Sequence, residues 1–210
     1  MLKPIPIILM IIYIHDKNKA RQHLVPRIIE AGIALSLVGD VLLMSNEMSA
    51  FMVGTCFFTA AHLLYIVGFR IGVQVKVMKK FYRRVRWAAY IVIGLALLGN
   101  YQMLWDKLPS KIIFVPYMCI LAIETMNCLA RYEQTVNSSF YFVVLGILLF
   151  TVSDNLLGFL KFNEIKTDLG RAVIMITYYS AQYFLMHGAL HQSNLIFEIN
   201  KYQEGKNRPY

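Results

Sequence analysis

The chain has 210 residues, of which 58% are apolar and only 16% charged, with a formal net charge of +9. That is too oily for an ordinary soluble domain, and the apolar residues gather into long runs. A water-soluble enzyme, a disulfide scaffold, a β-barrel and a disordered chain are thereby excluded as the main architecture.

In chain order the apolar runs are Pro4 to Ile14, Arg27 to Ser45, Phe51 to Val73, Arg86 to Leu104, Ile112 to Ala130, Phe140 to Leu160 and Arg171 to Leu190. A hydrocarbon core of ~30 Å takes about 20 residues of helix, so six runs are long enough to span it. The first is too short unless something precedes or extends it. The expected fold is all-α: a polytopic transmembrane helical bundle of about seven spans. It forms one integral-membrane domain over 1–190, followed by a polar cytoplasmic tail over 191–210 that frays. Met1 to Ile14 has one basic residue, two prolines and no small-residue cleavage site, a poor fit to a cleavable signal peptide. Cys56, Cys119 and Cys128 all fall inside apolar runs without metal-ligand spacing, so they read as small buried hydrophobes.

Charge sits between the runs and reports orientation. With alternating helices, 15 of the 21 Lys and Arg fall on one side, seven of them from Arg70 to Arg86, and 6 on the other. The positive-inside rule then puts the tail in the cytoplasm. The cluster Lys79-Lys80-Phe81-Tyr82-Arg83-Arg84 has the look of a phosphate-binding stripe for RNA. A basic loop beside a membrane meets anionic lipid headgroups instead, so membrane lipids are the expected partners and nucleic acid is not.

Ionisable groups inside spans carry the most information, because burying one costs ~2.5 to 3.5 kcal/mol on insertion scales. Asp40, His62, Glu124 and Asp154 lie within runs, and Tyr178, Tyr179 and Gln182 crowd the last one. Any single one can serve as a hydrogen-bonded lock between helices. So many costly groups together point to function. Gly32, Ser36 and Gly39 follow i, i+4, i+7 spacing and predict a close helix contact that turns Asp40 inward. At a rise of ~1.5 Å per residue, Asp40, Asp154 and Tyr178 sit about 9 to 11 Å below the same weakly basic face, with His62 and Glu124 nearer the midplane. Asp40, Asp154 and Tyr178 can thus share one pocket open toward one leaflet, with Lys161 and Arg171 at its rim. Ordinary snorkelling at helix ends is the alternative for those two cations.

Several motifs recur together: Lys3-Pro4 opening an apolar helix, Gly39-Asp40 followed by Leu42-Leu43, and Phe51, Gly54, Phe57, Ala61-His62-Leu63 and Tyr65 in the third run. Ser153-Asp154 with Lys161-Phe162 follows, and then Arg171-Ala172-Val173-Ile174-Met175-Ile176-Thr177-Tyr178-Tyr179-Ser180-Ala181-Gln182. In these the chain resembles the lysoplasmalogenase (YhhN-like) family of multipass membrane enzymes, from about Lys3 to Gln182. Members of that family usually have eight spans, with one further helix before the Lys-Pro helix. The resemblance implies a lysophospholipid substrate: hydrolysis of the vinyl ether bond of a lysoplasmalogen to a fatty aldehyde and glycerophosphoethanolamine or glycerophosphocholine. For a eukaryotic source it also implies an endoplasmic reticulum membrane.

That chemistry protonates the outer alkene carbon, lets water attack the resulting oxocarbenium ion and collapses the hemiacetal. It therefore needs an acid, a base and charge stabilisation. Two carboxyls in a low-dielectric pocket can divide those tasks, as in glycosidases. Asp40 and Asp154 are the expected pair, with roles unassigned because coupled carboxyls titrate as a unit. His62, Tyr65, Tyr178, Tyr179 and Gln182 are expected to support the pocket, and Lys161 and Arg171 to hold the headgroup phosphate. No cofactor or metal is called for; His62 has no His or carboxylate at helical ligand spacing. The competing reading is a proton-coupled transporter of lipids or small molecules that uses the same acids as a relay. Interrupted helices would favour it, and Pro116 is the only proline inside a long run. A lipid-sensing scaffold is a third reading, in which the basic loop matters and the aspartates do not.

Overall fold

The apolar runs become helices, and four of them start one turn early. In the computed structural model, which describes residues 4–19, 22–45, 47–71, 111–132 and 134–206 with side chains as far as residue 193, the described residues form six helices and no strand. They are α1 (Pro4–Lys19), α2 (Leu24–Leu42), α3 (Met48–Arg70), α4 (Lys111–Ala130), α5 (Asn137–Phe162) and α6 (Asp168–Lys206). Helices α2, α3, α5 and α6 each begin three residues before the corresponding apolar run. The first turn of a helix carries N–H groups without intrahelical partners, so it belongs in the polar interface and escapes a reading based on apolarity. Lys3, the basic loop from Gln74 to Arg86 and the run from Arg86 to Leu104 lie outside the described residues.

By length and composition α3, α4 and α5 can cross a membrane, and the bundle is apolar on its outer surface as well as in its core. Large apolar side chains face outward on every side, among them Leu9, Ile12, Val67, Tyr141 and Ile176, while His62, Glu124, Ser153 and Gln182 are buried. Lipid accepts the first set, and the second set must be satisfied by neighbouring helices. Of the cysteines only Cys128 is buried; Cys56 and Cys119 are exposed on the outer surface of their helices, where a thiol meets hydrocarbon as readily as core.

The most extensive contacts pair α5 with α6 and α2 with α3, each two consecutive antiparallel helices. Small residues set both contacts. A Cβ at Gly39 would stand 2.8 Å from the Phe58 ring, one at Gly32 would overlap the Tyr65 ring, and one at Gly188 would overlap Val143. Gly32, Ser36 and Gly39 are all buried, as their spacing predicts. Tyr65 is fully buried and cannot give way. Gly32→Ala is therefore expected to destabilise the protein by about 1–3 kcal/mol, read as a lower thermal midpoint in detergent. An unchanged midpoint would mean that the ring has room to move.

Both ends of the chain are more helical than composition suggests. Helix α1 extends to Lys19, five residues beyond its apolar run, and lays Ile7 and Ile14 against the core. Its turn into α2 is clamped by Asn18, whose Oδ1 accepts from His23 N at 2.9 Å and whose Nδ2 donates to His23 O at 3.0 Å. Gln22 takes the left-handed conformation there, φ 50°. Helix α6 runs through the polar residues after Leu190 to Lys206, and packing continues through Gln192 and Ser193. At that end the buried Arg131 donates through Nη2 to Ser139 Oγ at 3.0 Å and Gln192 Oε1 at 2.7 Å, and its guanidinium lies 4.9 Å from the Phe69 ring centroid. Gln192 also donates to Ile71 O. Arg131 thus ties the ends of α3, α4, α5 and α6 together.

Candidate active site

Each aspartate follows a small residue that seats its helix. Ser153, 1% exposed, donates to Ile174 O on α6 at 3.1 Å. The next residue lies about 100° further round the helix, and Asp154 accordingly turns toward α3 and α4. There Tyr117 Oη on α4 donates to Asp154 Oδ2, and His62 Nε2 on α3 lies 3.8 Å from the same oxygen. His62 and Glu124 are both fully buried, with His62 Nδ1 2.5 Å from Glu124 Oε2. Phe150 meets the imidazole edge to face at 4.5 Å, which fixes the plane of the ring. His62 Nε2 and Glu124 Oε1 have no hydrogen-bond partner.

Asp40 belongs to a second group. Gly39 packs on Phe58 of α3, and Asp40 accepts from Tyr178 Oη on α6 at 2.8 Å. Gln182 Nε2 in turn donates to Tyr178 Oη at 3.4 Å, and Tyr65 Oη donates to Gln182 Oε1 at 2.8 Å. Ser36 Oγ lies 3.4 Å from Tyr65 Oη. Every donor from Tyr65 onward points toward Asp40, which accepts the last of the series. The two groups adjoin: His62 and Tyr65 meet edge to face at 5.9 Å, and Phe150 touches both His62 and Tyr178. Tyr179 stands beside Tyr178, their ring centroids 5.5 Å apart.

An apolar cavity of about 70 Å³ opens between α3, α4 and α5, with Asp154 and Tyr117 among its lining residues. Thr55 and Asn155 are its other polar lining residues, and Phe58, Met118, Leu121 and Leu157 form much of the wall. Toward the weakly basic face, Phe51, Phe114 and Phe162 close over it, with centroids 5.3 to 5.8 Å apart. Lys161 Nζ lies 5.4 Å above the Phe51 ring. Arg171 is at the same end of the bundle, largely exposed, with Nη2 2.6 Å from Asp168 Oδ1.

Of the residues singled out by sequence, Asp154 and His62 come together, and Asp40, Tyr65, Tyr178 and Gln182 form one hydrogen-bonded chain. Two further residues belong to the constellation. Glu124 stands out in sequence as an ionisable group near the depth of His62, but nothing there assigns it a role. Tyr117 has no sequence signal, since a tyrosine after Pro116 in an apolar run looks like any core aromatic.

A sequence model described as the YhhN family matches residues 1–189. The chain is also similar to a curated protein, Lysoplasmalogenase TMEM86B of Sus scrofa, with 32% identity over 156 residues. That alignment covers 73% of this chain and 59% of the relative, so the chain spans less than two thirds of the relative's length. No solved structure matches it.

Proposed function

The chain belongs to the YhhN family, and on that premise we propose that it is an intramembrane hydrolase of lysoplasmalogens, cleaving the vinyl ether bond to a fatty aldehyde and glycerophosphoethanolamine or glycerophosphocholine. The observation that carries the proposal is Asp154. It lines an apolar cavity while held by Tyr117 and faced at 3.8 Å by the open Nε2 of His62. The name of the similar curated protein supports the same reaction.

In this reading Asp154, in its acid form, gives a proton to the outer alkene carbon. The alkene π electrons form the new C–H bond and an ether-oxygen lone pair closes the oxocarbenium ion. Water then attacks that cation while His62 Nε2 removes one of its protons. Glu124 accepts the Nδ1 proton of His62, which leaves the Nε2 lone pair free for the task. The hemiacetal hydroxyl returns its proton to the Asp154 carboxylate as the carbonyl forms, and the C–O bond to glycerol breaks as the His62 imidazolium hands its proton to the departing oxygen. One water is consumed, and acid and base are restored. Asp40, which accepts a hydrogen bond from Tyr178, is the second carboxylate and in its anionic form lowers the energy of the developing cation. Lys161 above the aromatic closure and Arg171 beside Asp168 give the rim positive charge for the phosphate. A solvent-exposed Arg–Asp pair is weak and yields readily to a phosphate partner.

The transporter reading asks for interrupted helices, and α4 runs unbroken through Pro116. Purified protein given a lysoplasmalogen should release fatty aldehyde. Folded protein that releases none, yet moves protons across liposomes when lipid is supplied, would replace the hydrolase with the transporter.

A further inference from the structure

We infer that the cleft between the basic-side ends of α1 and α6 is a lipid site, taking an anionic phospholipid with a hydroxylated headgroup, such as phosphatidylinositol, from the cytoplasmic leaflet. It lies at the opposite end of the bundle from the aromatic closure and shares no lining residue with the cavity beside Asp154. The inference is independent of the hydrolase reading. Tyr13 and Lys17 of α1 line one wall, and His187 and His191 of α6 the other, around a space of about 260 Å³. The lining includes a lysine and two histidines but no carboxylate. The neighbouring cleft between α1 and α2 differs, because there Glu30 lines the wall beside Lys19 and Arg27 and meets His15 at 2.9 Å. A cation that faces no acid in the interfacial layer favours an anion from the membrane, and the charge count puts the anionic leaflet on this side.

The side chains are held toward one another. Lys17 Nζ lies 5.6 Å over the Tyr13 ring, and that ring stacks on His187 with centroids 5.8 Å apart. Tyr13 thus brings an ammonium and an imidazole from two helices to one spot. Phe142 of α5 backs both imidazoles, stacked on His191 at 5.3 Å and tilted against His187 at 6.1 Å. His187 Nδ1 donates to Tyr183 O at 3.1 Å. A carbonyl only accepts, so Nδ1 carries the proton and Nε2 of the neutral ring is an acceptor. One ammonium beside one acceptor matches a phosphodiester anion whose headgroup has hydroxyls to donate.

The acyl chains have a path as well. One turn deeper on the same faces of α1 and α6 stand Leu9 and Tyr183, 60% and 45% exposed. They continue the cleft into the hydrocarbon layer, which favours a lipid over a free phosphate. The volume is roughly twenty times that of one water-sized occupant, enough for a phosphate with a sugar-sized headgroup.

Native mass spectrometry of the purified full-length protein, titrated in neutral detergent, measures the affinity of the first lipid bound. Phosphatidylmethanol has the phosphodiester charge without a headgroup hydroxyl, and phosphatidylcholine has neither net charge nor hydroxyl. Phosphatidylinositol should bind about 5-fold more tightly than phosphatidylmethanol, the effect of one hydrogen bond. Phosphatidylmethanol should in turn bind about 5-fold more tightly than phosphatidylcholine. Lys17→Glu reverses one exposed charge and should weaken phosphatidylinositol by about 30-fold. Arg27→Glu makes the same charge change across α1 and should cost less than about 3-fold. His187→Phe keeps a ring against Tyr13 but lacks the acceptor, and should abolish the preference for the inositol lipid over the methanol lipid. His187→Leu serves in its place where the phenylalanine variant does not fold. Glycerophosphoinositol, the same headgroup without chains, should fail to displace the lipid at equal concentration. Equal affinity for phosphatidylinositol and phosphatidylcholine, or equal losses in Lys17→Glu and Arg27→Glu, would reduce the site to diffuse surface attraction and overturn it. An inositol preference that survives loss of His187 overturns the hydroxyl contact, and displacement by glycerophosphoinositol overturns the lipid assignment.

Discussion

Asp154→Asn is expected to lower the turnover of a lysoplasmalogen by about 100-fold or more while the protein still inserts and folds. An amide matches the shape of the carboxyl and can still accept the Tyr117 hydrogen bond, but it has no acidic proton for carbon. Protonating an alkene carbon is the demanding step of vinyl ether cleavage, so the loss should appear in kcat with little change in KM. Tyr117→Phe removes the group that holds Asp154 and should cost less, about 10-fold. Glu124→Gln leaves His62 in place but withdraws the carboxylate that fixes its tautomer, and should lower kcat with a changed pH profile. A folded Asp154→Asn protein with near-normal kcat would remove Asp154 from the chemistry and with it the observation on which the proposed hydrolase rests.

Asp40→Asn is the second large effect expected, again about 100-fold or more in kcat. Here the substitution removes a charge and disturbs an ordered chain of donors. Tyr65, Gln182 and Tyr178 each donate to the next group, and the chain ends on Asp40. An amide at that position can turn its oxygen to Tyr178 and keep the geometry, so the helices α2, α3 and α6 should remain joined. Tyr178→Phe is the control. It breaks the hydrogen bond but keeps the charge, and should cost about 10-fold. If Asp40→Asn lowers the thermal midpoint sharply while the surviving folded fraction keeps its kcat, Asp40 is a lock between helices and the electrostatic role fails.

The sequence by itself determined the class of the protein and the starts of its described helices to within about a turn, and it set polar residues that meet at matching heights along their helices. Depth is local information. It needs only a helical rise and a nearby interface, which is why His62 and Glu124, both placed near the midplane, do bond to each other, and why Asp40 and Tyr178, both placed below the weakly basic face, do as well. Composition also sufficed for the membrane environment, because a chain this apolar has no other way to satisfy its backbone.

What only the tertiary structure decided is which way each polar group faces and whom it meets. The direction of Asp154 follows from Ser153 bonding to Ile174 O on another helix, and that of Asp40 from Gly39 fitting against Phe58. The partner of Asp154 is Tyr117, 37 residues earlier and on a helix whose rotation no residue near either one specifies. Likewise Arg171 meets Asp168 on its own helix, whereas Lys161 meets Phe51 far away in sequence. The polar residues after Leu190 stay helical because Gln192 reaches Arg131 and Ile71, a contact that exists only once four helix ends have gathered. Helix rotation is set by the close fit of small residues and rings across interfaces, which sums over many nonlocal contacts. Rise along one helix is set by its own backbone, and so it alone can be read in advance.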